Sequence, residues 1–204
     1  MIMKKAAAPL LLLATVLLGC SGSPSASTAP AVPVGQMTPP FRFSGIITTL
    51  GTGTGPQTVM LQAEASALST EVEMGQWDAL LQSKGQTALV DALLKAPEKG
   101  WVRIGNNIAY SISVIRAKPL PNGGRQVIFA SSRPISAAGV FSGQVSADYP
   151  IGLVEFTIGP DGKGKGVIYG MLKAGFKDGQ FDLSSYSGGQ PQLISDVLMQ
   201  AGKF

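Results

Sequence analysis

The chain contains no histidine and a single cysteine, Cys20. These two absences remove Ser-His-Asp and Cys-His catalysis, dithiol redox chemistry, histidine-ligated zinc or iron, and a histidine pH switch. Charge is scarce as well: Asp, Glu, Lys and Arg make up 14% of residues, with no basic cluster or arginine stripe that nucleic acid would require. Oxygen-ligated metals, carboxylate acid–base pairs, and lysine or tyrosine chemistry remain. Whether the chain is an enzyme is left open by composition, but the balance leans against it, and no residue is assigned as catalytic, metal-binding or cofactor-binding.

What is present begins with a targeting pattern. Lys4 and Lys5 precede an apolar stretch from Ala6 to Leu18 that is short for a bilayer span. It ends in Leu17-Leu18-Gly19-Cys20, which resembles the lipobox of bacterial lipoproteins. The alternative is an ordinary secretory signal with a chance cysteine, but Cys20 stands at the small-residue cleavage point itself. The resemblance implies removal of residues 1–19 and acylation of Cys20. Because Ser21 and not Asp follows, it also implies sorting to the outer membrane where the organism has one. Several acyl chains on one residue make a stable anchor. No later apolar run is long enough to span a membrane as a helix.

Ser21 to Pro40 carries five prolines, four serines, three alanines and no charge. Such a segment buries no core and reaches on the order of 60 Å if fully extended. With the acylation that the resemblance implies, residues 20–40 are expected to be a lipidated tether, and 41–204 a single β-rich globular domain. Without Lys4 and Lys5, fourteen cationic side chains face twelve carboxylates, a net charge of +2 that gives no nucleic-acid signal.

Within the domain the hydrophobic period is mostly two. Ile108, Tyr110, Ile112 and Val114 alternate with small residues; Val154, Phe156 and Ile158 alternate with Glu155 and Thr157. Ile168, Leu172, Ala174 and Phe176 share one face opposite Tyr169, Met171 and Lys173, and Leu193, Ser195 and Val197 suggest a last strand. Between strands two and three the period changes. Trp77, Leu80, Leu81, Leu89, Val90, Leu93 and Leu94 recur at helical spacing. Thr70 and Glu73 offer a capping box, Gly85 separates two short helices, and Pro97 stops the second. Core packing explains Trp77 and these leucines better than a ligand groove does.

Asn122-Gly123, Asp161-Gly162 and Asp178-Gly179 each predict a hairpin with a type I′ turn. "GPDGKGKG" at 159–166 is then a turn and no phosphate loop, since a strand and not a helix follows it. Asp161 alone cannot satisfy calcium. The "GTGTGP" segment reads in the same way. Arg133 and Asp148, each near a proline, bracket a crossing from 135 to 147. With Tyr149 they form either a structural ion pair or a pocket rim. Tyr110 and Tyr169 are candidate cavity-lining residues.

The stretches Gly100-Trp101, "IAYSISVIRAKPLPNGGRQVIFASSRPI" and "DYPIGLVEFTIGPDGKGKG" resemble a group of exported bacterial proteins of unknown function. The similarity covers about residues 44 to 187. Its members often carry an acidic residue where this chain has Ser132 and an aromatic one where it has Ile151. The resemblance implies one exported domain and no defined activity.

The expected fold is mainly β. It is an antiparallel meander of about eight strands, curled or closed into a small barrel, with two short helices inserted after strand two. The expected function is a membrane-anchored envelope lipoprotein, non-catalytic, binding a small apolar molecule or lipid on its concave side. A structural or protein-binding lipoprotein with a filled core, partnered by another envelope protein, is the alternative. A histidine-independent hydrolase or isomerase using Asp148, Arg133 and a tyrosine stands third.

Overall fold

The computed structural model describes residues 38–51, 55–136, 148–177, 180–185 and 191–204. The signal segment, Cys20 and most of the tether lie outside the described residues, as do the tip of "GTGTGP", residues 137–147 of the crossing, and Asp178-Gly179.

The strands are β1 (Phe41–Gly51), β2 (Gly55–Ala65), β3 (Gly100–Ile104), β4 (Tyr110–Ile112), β5 (Val114–Pro119), β6 (Arg125–Ser131), β7 (Ile151–Ile158), β8 (Lys163–Lys177), β9 (Gln180–Ser185) and β10 (Gln192–Ala201). They form one sheet in the order β4-β3-β2-β1-β10-β8-β7-β6-β5, with β9 on β8. Every pairing is antiparallel. The two ends of this order, β4 and β5, are separated by Ser113 alone. One bent run of chain therefore pairs with β3 through its first half and with β6 through its second, and the sheet is nearly closed into a barrel. With β4–β5 counted as one strand, the meander matches the expectation from periodicity.

The bend at Ser113 has its own fastenings. The Ser113 hydroxyl donates to the carbonyl of Leu93 (2.9 Å), and Lys99 N–H donates to Ile112 O (2.8 Å). Ser69 exchanges two bonds with Ile115: its N–H donates to Ile115 O (2.7 Å), and its Oγ accepts from Ile115 N–H (3.2 Å). Backbone groups that lose a strand neighbour at the bend thus find partners in the segments flanking the helix.

The helix α1 (Glu71–Lys95) runs between β2 and β3. The capping box forms as expected: Glu73 N–H donates to Thr70 Oγ1 (3.2 Å), and Thr70 N–H donates to a Glu73 carboxylate oxygen (2.8 Å). The helical run is kinked at Gly85, whose φ and ψ are non-helical, so two helical segments meet there as expected. Gly85 itself adopts φ 78°, a left-handed conformation natural to glycine. Among the described residues no helix is long and apolar enough to cross a membrane.

Two apolar clusters lie on opposite faces of the sheet. The barrel interior holds Phe43, Phe129 and Phe156, all fully buried, ringed by Ile47, Leu61, Ile104, Ile115, Ile168 and Ile194. Phe43 stacks on Phe156 (4.6 Å between centroids, 5° between planes) and meets Phe129 edge to face (5.5 Å, 89°). Outside the barrel, Leu81, Leu89 and Leu93 of α1 cover Val114, Ile151, Leu153, Leu172 and Ala174, with Trp77 packed at the margin. Leu81, Leu89 and Leu93 are core, as expected, with Trp77 partly buried against them, whereas Leu94, expected there too, is exposed.

Three strand faces differ from simple alternation. A register shift between Ile151 and Leu153 opposite β8 leaves Ile168 inside the barrel but turns Leu172 and Ala174 outward, under the helix with Tyr169. The expected shared face of Ile168 and Leu172 is therefore wrong, because one extra residue reverses a period-two pattern. In β10 a second irregularity, at Asp196 (φ 50°), places Ile194 and Val197 inside and leaves Leu193 72% exposed. In the third case Ile108 precedes β4 and is 93% exposed, and the bend at Ser113 sends Val114 to the helix side.

The turns at 122–123 and 161–162 join hairpins, but not as type I′. Gly123 (φ 79°) and Gly162 (φ 78°) are left-handed, whereas neither Asn122 nor Asp161 has positive φ. Both polar side chains instead accept a backbone N–H two residues on, Asn122 from Gly124 (3.0 Å) and Asp161 from Lys163 (3.1 Å). Across the third turn Lys177 pairs with Gln180.

Candidate functional site

The bend that closes the barrel also opens a cleft. The ladder between β5 and β6 ends at the Val114–Ala130 pair; beyond it β4 turns to β3 while β6 runs on to Ser131. The diverging strands enclose a cleft of about 570 Å³. The last turn of α1 supplies Leu93, Leu94 and Ala96, the turn before β4 supplies Asn107, Ile108 and Ala109, and the strands supply Tyr110, Ser111, Ser113, Ser131, Ser132 and Arg133. One wall is apolar and exposed, with Leu94 at 50% and Ile108 at 93% of their full areas. The other carries hydroxyls and one guanidinium.

Two of the predicted site residues meet here, Arg133 and Tyr110. Tyr110 also packs against the barrel interior, and its hydroxyl accepts from Ser136 N–H (3.4 Å). Tyr169 sits on the opposite face of the sheet with the helix cluster, so the two tyrosines do not share a cavity. Asp148 is not among the residues lining the cleft. Its carbonyl accepts from Gln86 Nε2 (3.1 Å), while Gln86 Oε1 accepts from Ala174 N–H (2.7 Å). Asp148 and half-buried Tyr149 thus enter the fold beside the helix kink. Among the described residues, ion pairs join Lys99 to Glu73 (3.0 Å) and Arg116 to Glu71 (3.2 Å).

The start of the crossing is a structural plug. After β6 the chain passes over Gly152 of β7, and Ile135 N–H donates to Gly170 O of β8 (3.0 Å). Ile135 is fully buried in the barrel core. A Cβ on Gly152 would stand 2.6 Å from Ile135 Cγ1 and 2.7 Å from Arg133 O, so only glycine admits this passage. The plug also sets where Arg133 emerges.

Among the described residues one titrating group departs from its ordinary range. Glu73 is held lower by the Thr70 N–H it accepts from and by the Lys99 ammonium. No cluster of three or more metal-ligating side chains occurs among the described residues. Sequence reasoning missed Ser111, Ser132, Leu94 and Ile108 as neighbours of Arg133. Ile108 and Tyr110 read as one continuous strand face, but β4 begins only at Tyr110, and Ile108 lies in the connection that follows the turn at Gly105. No protein-family model, curated protein or solved structure matches the chain.

Proposed function

We propose that this chain is an exported lipoprotein, anchored through acylated Cys20, whose barrel is a non-catalytic scaffold with a filled interior. The observation that carries the scaffold reading is the stack of Phe43, Phe129 and Phe156 along the interior. Small residues beside it take up the remaining room. A Cβ on Gly45 would stand 2.6 Å from Ile194 Cγ2, and one on Gly166 would stand 2.9 Å from Phe156 Cδ1. Native-like packing of this kind supports a filled barrel over an internal lipid site. The anchor reading rests on Leu17-Leu18-Gly19-Cys20 and the uncharged tether. Partners are then the membrane, and another envelope protein reached through exposed side chains such as Met60 and Leu193 on the barrel exterior.

A second reading, binding of a small amphipathic molecule, is supported by the cleft at the barrel seam and not by the interior. Metabolic labelling with a fatty acid, followed by membrane fractionation in a bacterial host, tests the anchor. The chain is expected to carry label and sediment with membranes, and Cys20→Ala to lose both. Membrane retention of unlabelled Cys20→Ala would refute the anchor.

A further inference from the structure

We infer that the seam cleft binds a single-chain amphipathic carboxylate, with Arg133 taking the carboxylate and Leu94 and Ile108 the hydrocarbon chain. The inference rests on the ligand-binding reading of the cleft and names its ligand class.

The charge argument comes first. Among the described residues Arg133 is the one charged side chain lining the cleft, and no carboxylate lies within 4 Å of its guanidinium. The neighbouring segment 137–147 carries no charged residue at all. Its position is not accidental. The Arg133 backbone N–H donates to Ser131 Oγ (3.1 Å), and the passage over Gly152 fixes the residues that follow. An arginine held this way presents a fork of donors matched to a carboxylate. Ser132 and Tyr110 add hydroxyls that can donate to the same anion. A lone cation among neutral hydroxyls suits a monoanion better than a phosphate dianion.

The apolar half is equally specific. Leu94 lies on the last turn of α1 and Ile108 on the turn before β4, and both leave large apolar area exposed at the cleft wall. Covering such surface drives association at roughly 25 cal/mol per Å². At about 570 Å³ the cleft falls within the size range of small-molecule sites.

The test is calorimetric titration of the full chain carrying Cys20→Ser with decanoate, decanol and decyl phosphate, all below micelle formation. Saturable binding of decanoate is expected, tighter than that of either analogue. Arg133→Gln should weaken decanoate about tenfold or more, because a charge-assisted bond is lost, while leaving decanol unchanged. Ile108→Ser should weaken both. Arg133 and Ile108 are exposed, so both variants are expected to fold, checked by circular dichroism. Decanol binding as tightly as decanoate, or decyl phosphate binding more tightly, would overturn the carboxylate assignment and keep a ligand cleft. Absence of saturable binding by all three would remove the ligand-binding reading as well.

Discussion

Truncating Phe43 to alanine tests whether the barrel is filled. The ring is fully buried, stacked on Phe156 at 4.6 Å and set edge-on to Phe129 at 5.5 Å and Phe41 at 5.7 Å. Transfer of the ring to water and the cavity left behind together cost about 3–5 kcal/mol for a buried phenylalanine. Three ring partners place this site near the upper end, because each aromatic pair contributes about 0.5–1.5 kcal/mol beyond area alone. The neighbours cannot collapse inward readily, since the surrounding strands are held by ladders on both sides. Urea unfolding of the purified protein, followed by circular dichroism, should show a lower midpoint at unchanged slope. A loss of 3–5 kcal/mol is a large part of a typical domain's 5–15, so Phe43→Leu, expected to cost about 1–2 kcal/mol, provides a gentler companion. A loss under about 1.5 kcal/mol for Phe43→Ala would mean that the interior already holds free space. The filled-barrel reasoning would then fail, and an internal ligand would regain its place.

Two further outcomes follow from local geometry. Gly152→Ala should destabilise by about 1–3 kcal/mol, since its methyl meets the backbone of Arg133 and Ile135 at 2.7 Å, whereas Gly75→Ala, with nothing within 4 Å, should stabilise the helix by about 0.5–1 kcal/mol. Paired denaturation curves check this, and equal effects would refute the plug. For Glu73, whose folded carboxyl titrates below its unfolded value, the capping contribution is present above the unfolded value and is lost as pH falls through the folded one. Glu73→Gln should therefore flatten stability against pH below the ordinary carboxylate range, and an unaltered acid limb would contradict the assignment.

Much of this fold was legible along the chain because the signals are local. Thr70 and Glu73 cap their helix through groups three residues apart, Gly85 kinks it, and Asn122-Gly123 and Asp161-Gly162 reverse the chain. Arg133 was legible as a residue of interest from its charge beside a proline, but its setting was not. The cleft exists because β4 and β5 part company with different neighbours at Ser113, and nothing near Ser113 in the sequence announces a change of partner.

The sequence by itself determined the β-rich class, the place of the helix, the turns, and the absence of histidine chemistry, since each depends on residue type and short-range spacing. Tertiary structure alone decided which face each strand presents. Bulges between Tyr169 and Leu172 and at Asp196 reverse inside and outside, and they are set by the register of neighbouring strands. It also decided that three phenylalanines far apart in sequence fill one interior, and that Arg133 opens beside Leu94 and Ile108. Long-range pairing, which a period of two cannot encode, is the physical reason.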